Sequence, residues 1–144
     1  MHFGYHDRFD FDETTFGEFI DLFDQRARAG EGVLLAVSDD EDPLVAQTML
    51  FGANWTEATV EVGFWVSPWA RGRGVAPRAI RLTCNYAFAH GMERIQGLTS
   101  VDNVAAQRAM EAAGFTREGT LRGLEKIQGG GRLDQVSYSL LHTD

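Results

Sequence analysis

Arg71 and Arg73 alternate with Gly72 and Gly74 in the stretch PWARGRGVA (Pro68–Ala76), which holds no acid although the chain carries a net charge of -8. Guanidinium groups offer charge and paired N–H donors to an oxyanion. Glycines let the backbone approach it closely. An apolar run precedes the stretch and a helical pattern follows it, so it falls at a strand-to-helix turn. A helix start adds unpaired amides and the positive end of the helix dipole. A phosphate or pyrophosphate is the natural occupant. Two common phosphate motifs do not fit. A Walker A loop needs G-K-[ST], which is absent, and a dinucleotide fingerprint needs a third glycine where Pro77 stands. On the loop alone, a glycine-rich turn with solvated arginines stays open as the plainer reading.

A second residue with chemical potential is Glu61, in ATVEVGFWV (Ala58–Val66). Alternation puts Val60, Val62, Phe64 and Val66 on one face of this strand and Glu61, Gly63 and Trp65 on the other. An acid on so apolar a strand is solvated, salt-bridged or available to take a proton. Other reactive types are poorly placed. Cys84, the single cysteine, falls on the apolar stripe of a helix and reads as a small core residue. The four histidines, His2, His6, His90 and His142, have no metal-ligand spacing. SDDEDP (Ser38–Pro43) lacks the glycine and terminal glutamate of a calcium loop and reads as a solvated turn. No metal is expected.

Several elements must position these groups. A helix spans about Glu13 to Ala29, with Phe16, Phe19, Ile20, Phe23 and Ala27 on one face and Gly30 and Gly32 as its stop. Three strand-length runs follow, VLLAVS (Val33–Ser38), LVAQTMLFG (Leu44–Gly52) and ATVEVGFWV, and their short turns predict an antiparallel meander. The next helix runs from about Val75 to His90, burying Ala76, Ala79, Ile80, Thr83, Cys84, Ala87 and Phe88. RIQGLTS (Arg94–Ser100) is a strand. NVAAQRAMEAAGF is a helix ended by Gly114, with Asp102 or Asn103 as its cap. Two strands close the chain, near Phe115–Leu121 and Leu133–Leu140. The strand, helix and strand over 58–100 form a β-α-β unit whose strands are parallel. The fold class is α/β (α+β), a mixed and mostly antiparallel sheet flanked by helices.

The composition bounds the partners. A chain of 144 residues, 44% hydrophobic and 24% charged, suits a single domain over 1–144, with 1–12 as an N-terminal arm. An acidic balance argues against non-specific nucleic-acid binding. No apolar run has the length of a membrane span, and the first residues lack a signal peptide's order. With one cysteine, these features point to the cytoplasm.

Two separated stretches resemble a known family. Arg71, Gly74 and Ala76 match the [QR]-x-x-G-x-[GA] motif of the GNAT acyltransferases. EVGFWVSPWARGRGVA and NVAAQRAMEAAGFTREGTLRG are similar to the RimJ/RimL branch, as is the ending DQVSYSLL. The likeness covers about Val33 to Leu141. It implies an acetyl-coenzyme A-dependent N-acetyltransferase acting on a primary amine of a small molecule or a peptide N-terminus. It implies that the backbone amides of Arg71, Gly72, Arg73, Gly74, Val75 and Ala76 hold the coenzyme pyrophosphate. Val66 would bind the pantetheine arm and polarise the thioester carbonyl, and Asn103 would contact the coenzyme. Glu125, which follows LRG, stands where this branch carries a glutamate acting through water. Glu125 and Glu61 are thus the candidate bases.

The chain departs from the family pattern at three places. Ala106 stands where the branch commonly has serine, and Met110 where many relatives have tyrosine. No side chain is therefore evident for the leaving thiolate. The alternative function is a module that binds an acyl-coenzyme A with little transfer. The N-terminus leaves too little chain for the family's usual opening strand and helix, although FGYHDRFDF (Phe3–Phe11) could form a short strand or an acceptor-side lid. The strand at Val33–Ser38 is then a sheet edge, which a second subunit, as in a homodimer, or the N-terminal arm is expected to cover.

Overall fold

The computed structural model describes residues 13–144. Six strands form one sheet in the order β1-β2-β3-β4-β6-β5: β1 (Val33–Val37), β2 (Ala46–Asn54), β3 (Thr59–Val66), β4 (Arg94–Ser100), β5 (Thr116–Lys126) and β6 (Arg132–Leu141). Three helices accompany them, α1 (Glu13–Arg28), α2 (Val75–Ala89) and α3 (Val104–Ala112). The β3–β4 pair is parallel and every other neighbouring pair is antiparallel. This is the expected mixed, mostly antiparallel α/β sheet, with the meander at β1–β3 and the crossover through α2. The expected lid at Phe3–Phe11 lies outside the described residues.

Alternation sorts the side chains onto two faces. Val60 and Val62, Ile95, and Val136, Tyr138 and Leu140 join Ile80, Cys84, Met110 and Phe115 in the main core, on the α2–α3 face. The α2 stripe is buried at its centre as its periodicity predicts, with Ala79, Ile80, Thr83, Cys84 and Ala87 nearly inaccessible, while Ala76 and Phe88 at its ends are half-buried. The opposite face carries a smaller cluster of Phe23 and Met49 with Leu34 and Phe51, under α1.

The first helix departs from expectation. Phe23 is buried, but Ile20 is 37% exposed and Ala27 is exposed. The Phe16 and Phe19 side chains lie outside the description. The helix sits over the β1 end of the sheet, where, among the described side chains, Phe23 is the stripe residue that meets a patch of Met49, Leu34 and Phe51. The last two strands also differ from expectation. β5 continues to Lys126 through an irregular register between Leu121 and Glu125. The amide of Gly123, which has φ +60°, is held in that irregularity by the Asp134 carboxylate at 2.7 Å.

The entry to β1 is tightly fitted. A Cβ on Gly32 would lie 2.3 Å from the Leu50 carbonyl oxygen and 3.1 Å from the Phe51 Cα. These are backbone atoms, which yield only if the β1–β2 hairpin shifts. Gly32→Ala is expected to lower unfolding stability by about 1–3 kcal/mol, the usual cost of overpacking, as measured by urea denaturation.

Candidate active site

The β3–β4 pairing sets the site. Thr59 to Val62 pair with Arg94 to Gly97, and the ladder then ends although both strands continue. The sheet therefore opens into a wedge between the last residues of β3 and those of β4. The ladder to β2 decides which way the β3 backbone faces there. The Ser67 amide donates to the Val45 carbonyl at 3.0 Å, which marks 67 and 45 as a bonded position of the ladder, although the Val45 amide itself turns to the Val37 carbonyl at 2.8 Å. Pairs alternate in an antiparallel ladder, which makes Val66–Ala46 and Phe64–Thr48 non-hydrogen-bonded pairs. The N–H and C=O of Val66 and Phe64 thus point away from β2, into the wedge. A pattern of residue types gives no hint of this orientation, for Phe64 no more than for Val66.

Beyond Val66 the chain turns sharply. Ser67 is fully buried, and its hydroxyl donates to the Leu44 carbonyl at 2.9 Å. Pro68–Ala70 forms a short 3-10 turn. Gly72 and Gly74 then take left-handed φ values of +76° and +71°, which side-chain-bearing residues avoid. A Cβ at either would meet nothing within 4 Å, so backbone conformation rather than crowding calls for glycine there. Gly74 caps α2 from that conformation. Pro77, third in the helix, removes one amide of the opening turn, which leaves those of Gly74, Val75 and Ala76 as its terminal donors.

The arginines are not equivalent. Arg71 donates from Nε to the Val66 carbonyl at 3.1 Å, tying the loop to the end of β3, and its own amide closes the turn on the Pro68 carbonyl at 3.4 Å. Arg73 and Arg78 instead interact electrostatically with Asp39 in the β1–β2 turn. The Asp39 carboxyl is held below its ordinary range, first by the Glu41 and Asp42 amides at 2.9 and 2.7 Å and then by those arginines. Asp42 accepts from the Trp69 indole N–H at 2.5 Å. The turn read as merely solvated is thus fastened beside the arginine-glycine loop.

Asn103 caps α3. Its Oδ1 accepts from the Ala106 amide at 3.0 Å, and its own amide donates to the Ser100 carbonyl at 3.0 Å. With the oxygen engaged, the side-chain NH2 is the part that offers donors to a ligand. Met110 lies farther along the same helix, and its Cε would be 1.9 Å from a Cβ on Gly97. The thioether therefore covers the point where the β3–β4 ladder ends.

The two candidate bases occupy one face but distant places. Glu61 pairs with Gln96, one step before the ladder ends, and is half-buried on the face opposite Val62. Burial pushes its carboxyl from 4.5 up to about 7. Glu125 is buried on β5, and its carboxylate accepts a hydrogen bond from the Gln135 amide. Following the register from Glu61 to Gln96 to Ser139, and from Glu125 to Leu133, puts two strands, β4 and β6, and the stretch from Leu133 to Ser139 between them. That stretch is about 20 Å long at strand rise. The structure thus brings Glu61 to the apex of the wedge and sets Glu125 far from it, so one proton acceptor cannot be shared between them. Cys84 is fully buried, with its thiol raised to about 12 by desolvation. Among the described residues there is no group of His, Cys, Asp and Glu able to hold a metal ion, and no helix is long and apolar enough to cross a membrane.

Comparison with known proteins gives a consistent picture. The family described as the acetyltransferase (GNAT) domain matches residues 3–116. A probable N-acetyltransferase of Bacillus subtilis, YjcK, is 33% identical over 72 residues, which are 49% of this chain and 40% of that protein. Mycobacterium smegmatis RimJ, solved in complex with CoA-disulfide, superimposes with a TM-score of 0.82 at 20% identity, over 90% of this chain and 62% of the other. The spermidine N-acetyltransferase of Vibrio cholerae, solved with CoA and spermine, gives a TM-score of 0.81 at 22% identity, over 94% of this chain and 79% of the other. The chain thus spans less than two thirds of the length of YjcK and of RimJ. The two structural likenesses speak to the fold.

Proposed function

This chain belongs to the acetyltransferase (GNAT) domain family, and from that premise we propose that it is an N-acetyltransferase. It takes acetyl-coenzyme A as co-substrate and a primary amine, on a small molecule or a peptide N-terminus, as acceptor. The motifs over residues 61–76 and 103–123 support a reading within the RimJ/RimL branch.

The observation that carries this reading is the orientation of Val66. Its N–H points into an open wedge, and the arginine-glycine loop begins a few residues beyond. A preorganised amide stabilises negative charge as it develops on a carbonyl oxygen. The amides at Gly72–Ala76, with Arg73, suit a pyrophosphate at the helix start. Asn103 borders the wedge from α3. Val66 and the loop thus serve the two ends of one extended co-substrate.

Glu61 faces the opposite side of the sheet at the apex of the wedge, five residues and about 16 Å of strand before Val66. An amine approaching from that side meets a carboxyl poised near neutral pH, suited to accept a proton through water.

A second reading is a binding module. Ala106 and the buried Met110 favour it, because neither can serve a leaving thiolate. Isothermal titration with acetyl-coenzyme A, followed by thiol release with a panel of amines, separates the readings. Binding with amine-dependent release is expected. Binding without release across the panel would select the module, and absence of binding would overturn both.

A further inference from the structure

One buried hydroxyl near the wedge has no role in the reading above. Thr99 is 6% exposed, and among the described residues its Oγ1 is the buried side-chain oxygen without a hydrogen-bond partner. Buried hydroxyls nearly always find a partner, so an orphan points to a ligand or a function. Nothing about Thr99 stands out in the sequence, where it is one more residue of a strand.

Its position is specific. Thr99 lies two residues after Gly97, the last β4 residue paired to β3, so it borders the wedge. Side chains two apart share a face. Gly97 faces Met110 and Val62, which puts Thr99 on the α3 side. On that side α3 doubles back along β4. It begins beside Ser100, where the Gln107 amide group donates to the Ser100 and Val101 carbonyls at 3.1 and 2.9 Å, and it reaches Gly97 at Met110. Met110 and Ala106 are one helical turn apart, about 6 Å. Gly97 and Thr99 are about 6.6 Å apart along the strand. Two matching steps set Thr99 under Ala106, as Gly97 is under Met110.

We propose that Thr99 supplies the hydrogen bond to the sulfur of the co-substrate, the part that Ala106 and Met110 cannot play. This rests on the acetyltransferase reading of the same wedge. The amine nitrogen attacks the thioester carbonyl carbon. A C–N bond forms, the C–S bond breaks, and its electron pair leaves on sulfur. The nitrogen's surplus proton passes through water to the Glu61 carboxylate. The Thr99 O–H donates a hydrogen bond to the departing thiolate and keeps its own proton, and the thiolate later takes a proton from solvent. Charge stabilisation by a fixed donor suffices.

The test compares wild type, Thr99→Val and Thr99→Ser. Two readouts are the turnover of acetyl-coenzyme A with amine and the titration of bound coenzyme A thiol, followed by the ultraviolet absorption of the thiolate. Thr99→Val is expected to lower kcat about tenfold with little change in KM. It should raise the bound thiol's pKa by about one unit. Thr99→Ser should keep both near wild type. Ligand-free Thr99→Val should melt no lower than wild type, since it removes an orphan polar group. Adding Ala106→Ser to Thr99→Val should restore part of the loss. If wild type binds coenzyme A and Thr99→Val leaves the thiol titration unchanged, the role of Thr99 is overturned while the acetyltransferase reading stands. Equal losses in Thr99→Val and Thr99→Ser would also overturn it. A wild type that fails to bind coenzyme A overturns both.

Discussion

Glu61→Gln is expected to lower kcat by about 10²- to 10⁴-fold while leaving acetyl-coenzyme A affinity nearly unchanged, the range for loss of a positioned base. The amide keeps the shape and loses the proton-accepting charge. Because burial holds the carboxyl near 7, wild-type kcat/KM should rise with pH through about 7 and then level. The variant should lose that limb. Glu125→Gln is expected to cost less than tenfold and to keep the limb, since Glu125 lies on β5, two strands beyond the β4 side of the wedge apex. A pH profile unchanged in Glu61→Gln would remove Glu61 from the mechanism. The same shift has a stability consequence. A carboxyl whose folded pKa exceeds its unfolded value binds more protons when folded, so wild type loses stability as pH rises from about 4.5 through 7. Glu61→Gln should therefore gain on wild type in urea titrations at pH 8 and lose that advantage at pH 4.

The second large effect concerns the loop. Arg71→Ala combined with Arg73→Ala is expected to weaken acetyl-coenzyme A binding by about 10- to 100-fold, measured calorimetrically, because charge-assisted hydrogen bonds to an anion are lost. The effect should shrink as salt is raised. The single variants should differ in kind. Arg73 bears on affinity through charge. Arg71 also holds the Val66 carbonyl, so Arg71→Ala should lower kcat as well as affinity. Unchanged affinity in the double variant would refute the pyrophosphate assignment.

Much of this was readable from residue order. The alternation in ATVEVGFWV and the stripe of α2 fixed which faces are buried, because a period of two or of 3.6 needs only local sequence. The strand-helix-strand unit followed from spacing, and its parallel pairing from the crossover. The Cys84 burial was readable for the same reason. What escaped were facts that depend on two strands at once. Whether Val66 and Phe64 turn their amides inward depends on the hydrogen-bonding phase of β2 against β3, which no single-strand pattern carries. The distance between Glu61 and Glu125 required the order β3-β4-β6-β5. The Ile20 and Ala27 positions failed because amphipathic periodicity says which side of a helix is apolar, but not how wide a surface it will meet. That Thr99 faces α3 depends on the way this helix folds back on β4.

The burial of Cys84 has a practical side. It is the chain's one thiol, and it is inaccessible and deprotonates only near 12. A thiol-reactive dye added to the folded protein therefore starts from a blank background, and every molecule of dye consumed during turnover counts one coenzyme A released. When the core opens, the same dye reads one equivalent per chain, which makes Cys84 a built-in clock for unfolding.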